Sequence, residues 1–193
     1  MRYVLITGVS SGIGYAIAKH LLQKGYFIFG SVRSLNDAEK LRSEFSSNFE
    51  PLMFDLLKKD SIIKSRPFVE KILGDSKLDA IINNAGISVH GPLKYLPIED
   101  IQKQFDINVI GTLMVTQTFM DLLKSDRTNP SGRGSIINIS SISGLFTTPF
   151  LTPYCASKHA LESISKGLRR ELMPIGINVV SVQPGPVDTE IWD

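Results

Sequence analysis

Short runs of apolar and β-branched residues alternate along the chain with longer stretches in which apolar positions recur every three or four residues. A strand buried on both faces lacks polar alternation, whereas a surface helix keeps one apolar stripe. The pattern therefore predicts βαβ units around a parallel sheet covered by helices on both sides. Strands are expected over residues 3–7, 26–32, 51–54, 80–83, 135–140 and 178–182, and helices over 13–24, 36–45, 61–73, 99–123 and 154–173. The segment 127–134, with Pro130, Ser131, Gly132 and Gly134, reads as a surface loop. Right-handed crossovers then give a three-layer, doubly wound α/β sheet. Its ligand crevice lies outside the carboxyl ends of the strands, where the strand order reverses.

Composition narrows the class without changing this picture. A chain of 193 residues suits one domain, 1–193, because a chain of this size buries roughly 70% of its unfolded surface. With 42% hydrophobic and 21% charged residues it is globular rather than disordered. The 21 basic and 19 acidic residues form no long basic run, which argues against nucleic acid as a partner. Met1, Arg2 and Tyr3 run directly into Val4, Leu5 and Ile6, leaving no room for a signal peptide. No apolar stretch approaches the ~20 residues of a membrane span, so a cytoplasmic protein is expected. Cys155 is the single cysteine, which excludes an internal disulfide and suits a reducing compartment. His20, His90 and His159 show no ligand spacing, so no metal is expected and a zinc-dependent alcohol dehydrogenase is disfavoured.

The chemistry begins at Thr7-Gly8-Val9-Ser10-Ser11-Gly12-Ile13-Gly14, between the first strand and the first helix. Gly8 can take the tight turn, Gly12 lets backbone approach a pyrophosphate, and Gly14 lets helix and strand pack closely. The amides around Ser10, Ser11 and Ile13, with the helix dipole, favour an anion. The second strand ends Gly30-Ser31-Val32-Arg33, without the carboxylate that would hold the ribose hydroxyls of NAD(H). Arg33 offers a planar, permanently charged fork suited to a 2′-phosphate, so NADP(H) is expected over NAD(H). Asp37 is a weaker NAD(H) candidate, and a solvent-facing Arg33 is the alternative.

Tyr154 and Lys158 stand four apart on the last expected helix and share a face. Moving a proton to or from a substrate oxygen at neutral pH requires a phenol shifted by ~3 units from its ordinary value, which takes about 4 kcal/mol. An ammonium ~4 Å away supplies ~4 kcal/mol at an effective dielectric of about 20. The expectation is a phenol lowered by Lys158.

Taken in order, the glycine turn, Asn83-Asn84-Ala85-Gly86, Ser140-Ser141, Tyr154-x-x-x-Lys158 and Pro184-Gly185 resemble the short-chain dehydrogenase/reductase family over the whole chain. Residues 142–158 are similar to its hydroxysteroid and retinol dehydrogenase-like branch. The resemblance implies a Rossmann fold and an NADP(H)-dependent oxidoreductase that transfers hydride between the cofactor and a carbonyl or secondary alcohol, with Tyr154 as general acid/base. A 3-oxoacyl-carrier-protein reductase and a non-catalytic NADP(H)-binding regulator are the alternatives. It also implies roles by position: Ser141 as the catalytic serine, with Ser140 and Ser143 as competitors; Asn108 supporting a proton path through Lys158; and Asp55 against the adenine, unless it closes a turn or caps a helix. Asn83, Ala85 and Gly86 would border the ribose and nicotinamide ends, Asn84 would tie the strands, and Pro184, Gly185, Val187 and Thr189 would meet the carboxamide. The implied partners are an apolar alcohol or ketone and further copies of the chain in a homodimer or homotetramer. The resemblance also implies a seventh strand and a substrate lid beyond the position of Asp193, so residues 1–193 are expected to hold six strands without that lid.

Overall fold

The computed structural model describes residues 1–192, so Asp193 lies outside the described residues. The strands are β1 (Arg2–Ile6), β2 (Tyr26–Val32), β3 (Phe49–Met53), β4 (Ala80–Asn83), β5 (Gly134–Ile139) and β6 (Ile177–Val182). They form one six-stranded parallel sheet in the order β3-β2-β1-β4-β5-β6. Helices α1 (Gly12–Gln23), α2 (Leu35–Phe45), α3 (Lys59–Leu73), α4 (Ile98–Phe105), α5 (Thr112–Phe119) and α6 (Thr152–Leu172) complete the described α/β chain.

Successive residues of β1 serve opposite layers. Val4 and Ile6 belong to a core with Ala18 of α1 and Ala38 and Leu41 of α2. Leu5 belongs to the other, with Ile62 and Val69 of α3 and Val115 and Phe119 of α5. Both faces of the central strands are therefore dry, and their sequences are apolar without alternation. Each fully buried aliphatic side chain here contributes about 1.5–3 kcal/mol from its removal from water. The chain moves outward from β1 through β2 to β3, then returns to β4 on the other side of β1 and proceeds to β6. The reversal between β1 and β4 opens a crevice at the strand ends.

The expected helix over 99–123 is not one α-helix. Between α4 and α5 the backbone widens into a π segment, Asp106–Gly111, and the run closes in a 3-10 turn, Met120–Leu122. Tertiary contact is the cause. A Cβ on Gly111 would meet Leu56 Cβ at 2.7 Å, and the widened turn aims Asn108 at the loop after β4. Neither constraint shows in apolar spacing. In α3, Pro67 sits within the helix on its exposed side, at the cost of one backbone hydrogen bond. Helix α6 begins at Thr152, two residues before the expected start, with Pro153 in its first turn.

Candidate active site

At the reversal, polar groups fasten the end of β1 to both neighbours. Thr7 Oγ1 accepts hydrogen bonds from the Asn84 and Ala85 amides at 2.9 and 3.0 Å. Asn84 Nδ2 donates to the Thr7 and Gly8 carbonyls at 3.0 Å each, and the Gly8 amide donates to Ser31 Oγ at 2.9 Å. Gly8 itself has φ +68°, and a Cβ there would lie 2.9 Å from Ala85 Cβ. The approach at Gly14 is tighter: a Cβ would fall 2.0 Å from the Gly8 carbonyl oxygen. The glycines thus draw the start of α1 against the strand end. No acidic side chain stands in the first turn of α1 and no side chain caps it, so its amides can meet an anion.

A crevice of about 450 Å³ runs from this turn to Tyr154. Its walls bring together Gly8, Ser10, Ser11, Gly12, Ile13, Arg33, Asp55, Ala85, Gly86, Ser141, Tyr154, Lys158, Pro184, Gly185, Val187 and Thr189, from seven separate stretches of sequence. Arg33 is exposed at the end of β2. Asp55 closes a turn, its Oδ1 accepting from the Leu57 amide at 3.0 Å, and it also stands on the crevice wall.

Three expected site residues do not line the crevice. Gly14 acts from behind the turn, as described. Asn83 turns its side chain into the interior, where Nδ2 donates to Thr116 Oγ1 at 3.0 Å and to Asn138 Oδ1 at 2.8 Å. Strand alternation explains this, since Asn83 turns inward and its neighbour Asn84 turns to the crevice. Asn108 is buried beneath the floor. It accepts from the Ile87 amide, donates to the Ile87 carbonyl, both at 2.9 Å, and donates to Ser157 Oγ at 3.1 Å.

At the inner end of the crevice, Ser141, Tyr154 and Lys158 converge. Ser141 Oγ accepts from the Ser143 amide at 3.1 Å, which fixes its rotamer, and the Ser141 hydroxyl hydrogen-bonds the Tyr154 phenol. Lys158 Nζ donates to the Ile139 carbonyl at 3.0 Å and stands 5.7 Å from the centre of the Tyr154 ring. Burial pushes the Lys158 ammonium down to about 8, with Glu162 opposing the shift. Burial also raises the Tyr154 phenol above its ordinary value, and the Ser141 hydrogen bond only partly offsets this. The expectation of a phenol lowered by Lys158 is not met: burial is the largest influence on the phenol and raises it.

A family model described as short chain dehydrogenase matches residues 2–193. The chain belongs to the short chain dehydrogenase family. It is 42% identical to an NADPH-dependent 3-dehydrocapnine reductase of Ornithobacterium rhinotracheale, covering 100% of this chain and 68% of that protein. It is 34% identical to retinol dehydrogenase 16 of Rattus norvegicus, covering 98% of this chain and 58% of that protein. Among solved structures, a variant of an actinorhodin polyketide ketoreductase with NADPH superposes with a TM-score of 0.87 at 28% identity, over 98% of this chain and 72% of that one. The chain thus spans about two thirds or less of the length of these curated relatives.

Thr7 and Ser31 hold this crevice in shape without standing out in the sequence, together with Asn84, which ties the strand ends as the resemblance implied. Their one visible signal is a small polar residue at the carboxyl end of an otherwise apolar strand. Among the described residues no helix is long and apolar enough to cross a membrane.

Proposed function

We propose that this chain carries the catalytic site of an NADP(H)-dependent carbonyl reductase acting on an apolar ketone, with Tyr154 as the proton donor. The observation that carries the reading is the pairing of Ser141 with a buried Tyr154 in a crevice that also offers helix amides and Arg33. The donor set fits the cofactor: close backbone at Gly8 and Gly14 for a pyrophosphate, and the Arg33 guanidinium, with no acid at the end of β2, for a 2′-phosphate. When bound, NADPH supplies the hydride. Ser141 then holds and polarises the substrate oxygen. Tyr154, protonated at neutral pH, delivers the proton to that oxygen. Lys158 stabilises the phenolate left behind, and Asn108 fixes the loop at Ile87 that closes the floor.

An apolar substrate is supported by Leu145, Phe146 and Phe150, all more than half exposed in the loop that joins Ser141 to Tyr154. The names of the relatives fit both halves of the proposal, one an NADPH-dependent reductase and another a retinol dehydrogenase. The test follows NADPH consumption with a panel of ketones for the full chain, Tyr154→Phe and Arg33→Ala. Tyr154→Phe is expected to lose about 10²–10⁴-fold in kcat with its fold intact. Arg33→Ala is expected to lose the preference for NADPH over NADH. Undiminished turnover by Tyr154→Phe would remove the mechanism.

A further inference from the structure

Helix α6 also buries a carboxylate that the reaction described above leaves unused. Glu162 is 4% exposed and lies one turn beyond Lys158, on the same helix face. Its Oε1 accepts hydrogen bonds from Ser181 Oγ at 2.5 Å and Gln183 Nε2 at 3.0 Å. These donors are the penultimate residue of β6 and the residue just before the Pro184-Gly185 turn. On its other side, Glu162 underlies the turn that carries Ser141: a Cβ on Gly144 would fall 3.0 Å from Glu162 Cγ, from the Lys158 carbonyl and from Ser140 Oγ. The two turns are themselves joined, with the Ile142 amide donating to the Pro184 carbonyl at 3.0 Å. Glu162 therefore sits where α6, the end of β6 and the Ser141 turn meet.

We propose that Glu162 is a positioning residue of the catalytic site: its buried carboxylate ties α6 to the strand that delivers the Pro184-Gly185 turn and serves as the fixed counter-charge of the Lys158 ammonium. This rests on the functional reading above. A carboxylate out of water persists as an anion only where donors hold it. Burial acts against the Glu162 charge, yet the hydrogen bonds from Ser181, Ser140 and Gln183, with Lys166 one turn further along α6, bring it below the usual carboxylate range. Lys158 meets the opposite problem. From β5 it faces the Ile139 carbonyl, from the π segment the neutral Asn108 near Gly86, and from its own helix Tyr154 and Glu162. Among the described residues Glu162 is the charge that favours the protonated amine. Without it, Lys158 would lose its proton closer to neutral pH and no longer stabilise the phenolate of Tyr154.

Three forms of the full chain test this: wild type, Glu162→Gln, which keeps volume and an acceptor oxygen, and Glu162→Asp, which keeps the charge. In wild type, kcat/KM for carbonyl reduction is expected to fall as pH rises through the Lys158 value of about 8. In Glu162→Gln that limb is expected about one unit lower, so turnover at pH ~8 drops roughly fivefold while turnover at pH ~6 changes less than about twofold. Glu162→Asp is expected to keep the limb within about 0.3 unit of wild type even if kcat falls uniformly, and it carries the test if the glutamine variant does not fold. A limb that stays in place in Glu162→Gln, or moves in Glu162→Asp, would overturn the proposal. Urea denaturation across the same pH range reads Lys158 without any turnover. Its pH-dependent window is expected to begin about one unit lower in Glu162→Gln. Should no ketone be reduced by wild type, the functional reading fails, and the denaturation series still decides the role of Glu162.

Discussion

Lys158 illustrates how one buried side chain ties stability to chemistry. Its amine titrates at about 8 in the folded chain, against 10.5 for an unperturbed lysine, because burial penalises the charge. Between those values the unfolded chain carries a proton that the folded chain lacks, so the free energy of unfolding rises with pH across that window. Below pH 8 both states are charged and the full cost of burial is present. The shift corresponds to a cost on the order of 3 kcal/mol at neutral pH. Lys158→Met is therefore expected to lose carbonyl reduction and also the rise in urea midpoint between pH ~7.5 and ~10 that wild type shows. An equal rise in the variant would place the titrating group elsewhere. Ser141→Ala, which removes the hydroxyl proposed to polarise the substrate oxygen and the partner of Tyr154, is expected to lower kcat about 10²-fold with little change in cofactor affinity, measured by pre-steady-state titration.

At the scale of elements, two local irregularities have separable consequences. Pro67 interrupts the backbone ladder on the exposed side of α3, far from the crevice. Pro67→Ala is expected to stabilise the chain by about 1–3 kcal/mol without changing activity, read from denaturation midpoints. The π segment is different in kind. Widened turns of this sort gather at functional sites, and here the extra room aims Asn108 at Ile87 and lets Gly111 rest on Leu56. Gly14, at the junction of α1 and β1, tolerates no side chain: Gly14→Ala would force a Cβ into the Gly8 carbonyl and push the helix start away from the strand end. That variant is expected to lose stability by about 1–3 kcal/mol and to weaken NADPH binding more than tenfold, as calorimetry would show.

For the molecule as a whole, the crevice joins stretches from residue 8 to residue 191 that only the closed sheet brings within reach of one ligand. Anything that binds this assembled surface and not the unfolded chain raises apparent stability by mass action, about 2.7 kcal/mol at a hundred times its dissociation constant. NADPH is accordingly expected to raise Tm in a concentration-dependent way, and NADH at equal concentration to raise it less. Equal shifts, or none, would count against Arg33 as a phosphate ligand.

The doubly wound sheet, the strand positions, the glycine turn and the Tyr154 and Lys158 pair were legible in the residues alone. Each follows from local rules: which faces are apolar, which turn needs glycine, which side chains share a helix face. The side on which Asn83 and Asn84 fall was not legible, nor was the π segment around Asn108, since both depend on what packs across the sheet. The direction in which the Tyr154 phenol is shifted and the burial of Glu162 beside Ser181 and Gln183 were equally hidden. Periodicity reports whether a residue is covered. Desolvation and hydrogen-bond partnership depend on what covers it, and only the tertiary structure decides that.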